Sequence, residues 1–74
     1  MSQQLSLAST DRTVLRTVAA AGSTINGVRL RRETDLDAPI EVAERLCERG
    51  LLDRVAGPSR QYLLTGEGAR LADT

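Results

Sequence analysis

Histidine, lysine, phenylalanine and tryptophan are missing from this 74-residue chain, and cysteine and tyrosine occur once each. Each absence closes off some chemistry. A lone Cys47 with no histidine builds neither a zinc-type ligand cluster nor an intrachain disulfide. Imidazole-based acid–base catalysis is excluded, and the carboxylates fall at helix-surface spacing rather than converging. Thr65-Gly66-Glu67-Gly68 lacks the strand–loop–lysine context of a phosphate cradle. The chain is therefore expected not to be an enzyme and to need no cofactor or metal. Cys47 reads as a small buried or half-buried helix residue, since no base or cationic pocket is signalled that would activate a thiolate. No apolar run has membrane length. The opening MSQQLSLAST has neither the basic flank nor the apolar stretch of a signal peptide. A cytoplasmic location with no membrane partner is the expectation.

What the chain does have is an aliphatic interior and a balanced surface. Apolar residues make up 41% and charged residues 27%, which suits a globular domain rather than a disordered one. With Tyr62 as the sole aromatic, the core must be assembled from Leu, Val, Ile and Ala. A domain this short buries a modest share of its surface and gains from self-association, for which Leu5, Leu7 and Val14 are the candidate residues. Ten arginines face ten acids, for a net charge of zero. Dedicated nucleic-acid binders are often far more basic, but a local cluster of arginines suffices to make a basic patch.

Residues 1–8 read as a flexible N-terminal arm that docks through Leu5 and Leu7, and residues 9–74 as one domain. Ser9 and Thr10 are N-cap candidates, with Asp11 well placed in a first turn. Val14, Leu15, Val18 and Ala21 recur at helical spacing, which predicts a helix from about Thr10 to Ala21, stopped by Gly22. Ile25 suits a minimal strand beside a hairpin, and Asn26 suits capping a second helix over Gly27 to Thr34. Asp35-Leu36-Asp37 forms a turn, pinned to the core by Leu36. Asp37 is then the expected N-cap of a third helix, with Pro39 in the first turn, where a missing N–H costs nothing. Ile40, Ala43, Leu46 and Cys47 share the inner face of this helix, and Gly50 ends it. Leu51 to Val55 and Arg60 to Leu64 read as two strands flanking Ala56-Gly57-Pro58-Ser59. Tyr62 should line the core with its hydroxyl at the surface. Thr65 caps a short last helix, to about Ala72, that docks through Ala69 and Leu71.

The order helix, helix, helix, hairpin, helix resembles the winged helix-turn-helix pattern. LRRETDLDAPIEVAERLCERGLLDR is similar to that family's second helix, turn, recognition helix and approach to the wing. YLLTGEGARLAD looks like its strand-to-helix exit, of the kind found in MarR-like and PadR-like regulators. Two positions depart from the pattern: Arg31 stands where a small buried residue is usual, and Asp35 where the corner commonly carries glycine. Aspartate accepts unusual backbone angles better than most residues. The resemblance implies an α+β, mainly α fold, with a three-helix core, a two-stranded wing and a short C-terminal helix. It implies a small transcriptional regulator that reads double-stranded DNA with helix three and the wing, as a homodimer. The alternative is a winged-helix module that docks a protein partner and leaves DNA alone; an apolar Val42 on the outer face of an acidic third helix would suit it.

On the DNA reading, Ala38, Glu41, Val42, Arg45 and Arg49 point outward from the third helix, and Arg45 is placed to pair with guanine through two parallel hydrogen bonds. The competing expectation is a solvated face, with a Glu41–Arg45 salt bridge at the favourable spacing. Arg29, Arg31 and Arg32 form the densest basic cluster, on the helix that crosses the DNA backbone in this motif. Arg32 is the preferred phosphate contact; Arg29 has Glu33 four residues away, and Arg31 is expected to be partly buried and paired. Arg54 and Arg60 flank the wing turn and are candidates to straddle the minor groove.

Overall fold

In the computed structural model, which describes residues 7–73, the chain runs α1 (Ser9–Ala20), β1 (Thr24–Asn26), α2 (Gly27–Glu33), α3 (Pro39–Glu48), β2 (Leu52–Val55), β3 (Gln61–Leu64) and α4 (Gly66–Ala72). Val14, Leu15 and Val18 line one face of α1 and are fully buried. They meet Leu30 of α2, Ala43 and Leu46 of α3, Leu51 and Leu52 at the start of the hairpin, and Tyr62 of β3. Self-association through Val14 is therefore ruled out: it is core. Leu7 packs against the same cluster, while Leu5 lies outside the described residues.

The caps explain where the helices begin and end. α1 starts one residue earlier than Ser9 as N-cap would give, and two earlier than Thr10 would. Ala8 holds that position because the Asp11 carboxylate, three residues on, accepts the Ala8 N–H at 3.3 Å. Asn26 accepts the Arg29 N–H at 2.7 Å and opens α2, and Thr65 accepts the Gly68 N–H at 3.0 Å and opens α4. The N-cap of α3 is Ala38, not Asp37. A residue directly before proline is disfavoured in the helical region, so the helix begins with Pro39. α1 and α3 are both followed by a glycine at positive φ, Gly22 at 91° and Gly50 at 79°. In each case two successive N–H groups fold back onto carbonyls of the last turn: Gly22 and Ser23 onto Ala19 and Val18, and Gly50 and Leu51 onto Cys47 and Leu46. This closes both helices and aims Leu51 inward.

The sheet is antiparallel with order β1-β3-β2: β2 and β3 form the two-stranded wing, and the short β1 around Ile25 adds a third strand beside it, as expected. Ile25 lies opposite Tyr62, which lies opposite Arg54 on the far strand. The Leu64 N–H donates to the Ser23 carbonyl and the Gly27 N–H to the Arg60 carbonyl, which ties both ends of β1 to β3. Residues 56–59 lie beyond the last cross-strand pair, Val55 with Gln61.

Two packing details differ from the periodicity. α3 lies against α1, α2 and β2, so its buried arc is wide and Val42 belongs to the core instead of the outer face. α4 docks through Leu71 and Ala72, with Ala69 exposed. Its first turn comes so close to the hairpin that a Cβ at Gly68 would collide with the Leu51 carbonyl.

Candidate nucleic-acid interface

α3 presents Glu41, Arg45 and Glu48 to solvent, with Arg49 at its C-cap. Both arginines lean toward the start of α1 rather than outward. Arg49 Nη1 donates to Asp11 Oδ2 at 3.3 Å, and Arg45 Nη2 lies 3.9 Å from Asp11 Oδ1. The Asp11 side chain is only 7% exposed, whereas that of Arg45 is 61% exposed. The carboxylate is thus a fixed anchor, and the Arg45 guanidinium is held at its rim. The expected Glu41–Arg45 salt bridge gives way to this longer-range pair, and Glu41 stays in solvent. The same Asp11 serves the cap of α1, so one residue fixes a helix start and ties α1 to α3.

A second network joins α3 to the wing. Glu44, on the wing-facing side of α3, receives the Tyr62 hydroxyl at 2.7 Å on Oε2 and Arg54 Nη1 at 2.7 Å on Oε1. Arg60 Nε lies 3.9 Å from Oε2. Tyr62 is fully buried, and its hydroxyl ends on Glu44 rather than at the surface. The hydroxyl, with Arg54 and Arg60 behind it, holds the Glu44 carboxyl below its usual range against the opposing effect of burial. Burial, reinforced by Glu44, pushes the Tyr62 phenol well above its usual value. Burial likewise raises the Cys47 thiol, consistent with an inert half-buried residue.

On α2, Arg29 makes the local pair with Glu33 at 2.6 Å. Arg31 departs from expectation: it is exposed, and among the described residues neither it nor Arg32 forms an ion pair. Leu30 alone of this helix is buried, so Arg31, one residue on, rotates out toward the wing.

Three surface depressions show how the charge is distributed. One, of about 330 Å³, lies between the start of α2 and the wing and is lined by residues that include Asn26, Arg31, Ser59 and Arg60. A second, of about 380 Å³, wraps the wing turn from Arg54 to Arg60. The two share Ser59 and Arg60, and no carboxylate lines either. The third, of about 370 Å³, lies at the helix-turn-helix corner and is lined by Asp35, Asp37 and Glu41 beside Arg45. The zero net charge therefore resolves into a basic strip, Arg31–Arg60–Arg54, at the wing and an acidic hollow at the corner. Of the six arginines singled out in the sequence as DNA contacts, only Arg54 and Arg60 line this strip; Arg45 and Arg49 gather at Asp11, Arg29 is paired on its own helix, and Arg32 is exposed but lines neither depression. Sequence reasoning passed over an exposed Arg31 and the role of Glu44. The Glu44 contacts span ten to eighteen residues along the chain, and no local spacing signals them.

No protein-family model matches the sequence, and no curated protein matches it. A solved structure is similar in fold, with a TM-score of 0.82 at 24% identity, over 90% of this chain and 56% of the other. That protein is a reported archaeal mechanosensitive channel described as a structural homologue of MarR-like transcriptional regulators. This chain spans little more than half of its length. Among the described residues, no helix is long and apolar enough to cross a membrane. Helix order, strand order and overall superposition agree: the chain has the MarR-like winged-helix fold.

Proposed function

We propose that this winged helix binds duplex DNA as a cytoplasmic transcriptional regulator, acting as a homodimer and without catalysis. The observation that carries the reading is the run of Arg31, Arg60 and Arg54 across the wing, along two depressions that no carboxylate lines, with Glu44 the one acid that reaches Arg54 and Arg60, from the α3 side. Two guanidiniums facing one open depression suit the charge and geometry of a phosphate backbone. Arg32 is exposed and without an ion pair among the described residues, which leaves it available as a phosphate contact from α2. Arg45 and Arg49 contribute less, because phosphate or base must compete with the buried Asp11 for them. Binding of this kind is dominated by counterion release, so affinity falls steeply with salt.

The test is an anisotropy titration of a random duplex at low and raised salt. Arg60→Ala and Arg31→Ala should each weaken binding and reduce the salt slope by about one, with Arg45→Ala close to wild type. Failure of the wild-type chain to bind at low salt would sink the reading. Sedimentation tests the dimer; in DNA-bound form its two α3 helices should lie about one turn, ~34 Å, apart.

A second reading, a module that docks another protein, draws on the sheet. Val55 and Leu63 are exposed on its outer face, and β2 is an edge strand. Strand addition by a partner would use that edge. Stoichiometric co-purification of a partner, with no DNA shift, would select it.

A further inference from the structure

Glu44 engages two of the wing arginines proposed to meet phosphate. It is the one acid among the described residues in contact with the wing arginines: Arg54 at 2.7 Å and Arg60 at 3.9 Å. Its position is built. The Tyr62 hydroxyl, on a fully buried ring, fixes Oε2 at 2.7 Å, and α3 fixes the backbone. The arginines are not buried with it; their side chains are 56% and 53% exposed, against 30% for Glu44. Two solvated cations therefore fold back onto one fixed anion. Exposed ion pairs of this type are weak and exchangeable.

We infer that Glu44 is an intramolecular stand-in for phosphate, which occupies Arg54 and Arg60 in the free domain and must be displaced when the wing meets a nucleic-acid backbone. This rests on the DNA-binding reading and adds a threshold to it. A single isolated phosphate competes poorly with a carboxylate that is already in place, whereas a polyanion recruits Arg31 and Arg60 together and displaces it. Glu44 thus acts as a positioning residue: it sets how much negative charge a ligand needs, without touching the ligand.

The experiment compares wild type, Glu44→Gln and Glu48→Gln by anisotropy on one labelled duplex over a salt series, with a thermal melt of each protein as a control for folding. The amide introduced by Glu44→Gln retains an acceptor for Tyr62 but no charge to hold the arginines. Glu48 is an exposed acid on the same helix that makes no ion pair among the described residues, so Glu48→Gln measures the effect of removing one negative charge elsewhere on α3. The expected result is a roughly three- to tenfold tighter complex for Glu44→Gln, a steeper salt slope, and a clearly smaller gain for Glu48→Gln. Adding Arg54→Ala and Arg60→Ala to Glu44→Gln should abolish the extra gain. Equal gains for the two single variants, no gain for Glu44→Gln, or a gain that survives loss of both arginines would each overturn the stand-in while leaving the DNA reading intact. Absence of binding by every variant and by wild type overturns both.

Discussion

Tyr62 shows how much one residue can carry when it is the only aromatic in the chain. Its ring fills the core, and its hydroxyl selects the side of α3 that faces the wing. Tyr62→Phe keeps the ring and removes one hydrogen bond to a charged acceptor, a loss of about 1–2 kcal/mol, measurable as a lower urea midpoint. Two pH effects follow, of opposite sign. The Glu44 carboxyl is held below its usual 4.5, so its stabilisation is complete above that value and is lost as pH falls through the depressed one. As pH falls from above 4.5 through the depressed range, wild type should lose more stability than Glu44→Gln. The Tyr62 phenol is raised above its usual 10.0, so its stabilisation is present below that value and is lost as pH rises through the raised one. Phenolate absorbance should therefore appear together with unfolding, not before it. Tyr62 as core wall was readable from strand alternation; its partner was not, because hydrogen bonds between distant elements leave no periodic trace.

At the level of elements, the helix ends were the most legible part of the chain. Asn26, Thr65, Gly22 and Gly50 act locally, through backbone groups within a few residues, and the structure puts each where its chemistry suggests. The misplaced start of α3 has the same local origin, because the constraint from Pro39 outranks the capping preference of Asp37. Asn26→Ala should cost roughly 1 kcal/mol in chemical unfolding. α4 offers a sharper contrast. Gly68→Ala would drive a methyl into the Leu51 carbonyl and should destabilise by about 1–3 kcal/mol. Gly66→Ala meets open space and should stabilise by about 0.4–1 kcal/mol by restricting the unfolded chain. Thermal melts of the pair would separate contact from propensity, and equal shifts would contradict the close approach of α4 to the hairpin. The breadth of α3's buried arc was less legible: Val42 is core only because three elements converge on that helix.

Across the whole molecule, the balance of ten arginines and ten acids carries no information until it is placed in space. Fold class followed from helix and hairpin order, which a one-dimensional string preserves. The separation of a basic wing from an acidic corner depends on which rotational face each arginine occupies and on partners such as Asp11 and Glu44, which sit far away in sequence. Stability at this scale rests on few side chains. A domain of this size holds roughly 4–11 kcal/mol in total, and truncating the fully buried Leu15 or Leu46 to alanine should remove about 2–5 kcal/mol of it. Circular dichroism of Leu15→Ala is expected to show a large unfolded fraction at ambient temperature, whereas disrupting the exposed Arg70–Glu67 pair at 2.7 Å should change stability by less than about 1 kcal/mol.

The cross-strand ladder closes at Val55 and Gln61, and the Arg60 carbonyl beside it accepts the Gly27 N–H, so of the five residues outside the ladder the four at 56–59 lie beyond both ties. That makes the tip a natural splice point. A fluorophore or a short foreign epitope grafted at Gly57 would leave the parent scaffold intact and ride on the segment nearest the proposed nucleic-acid contact, turning the protein into its own optical reporter of engagement.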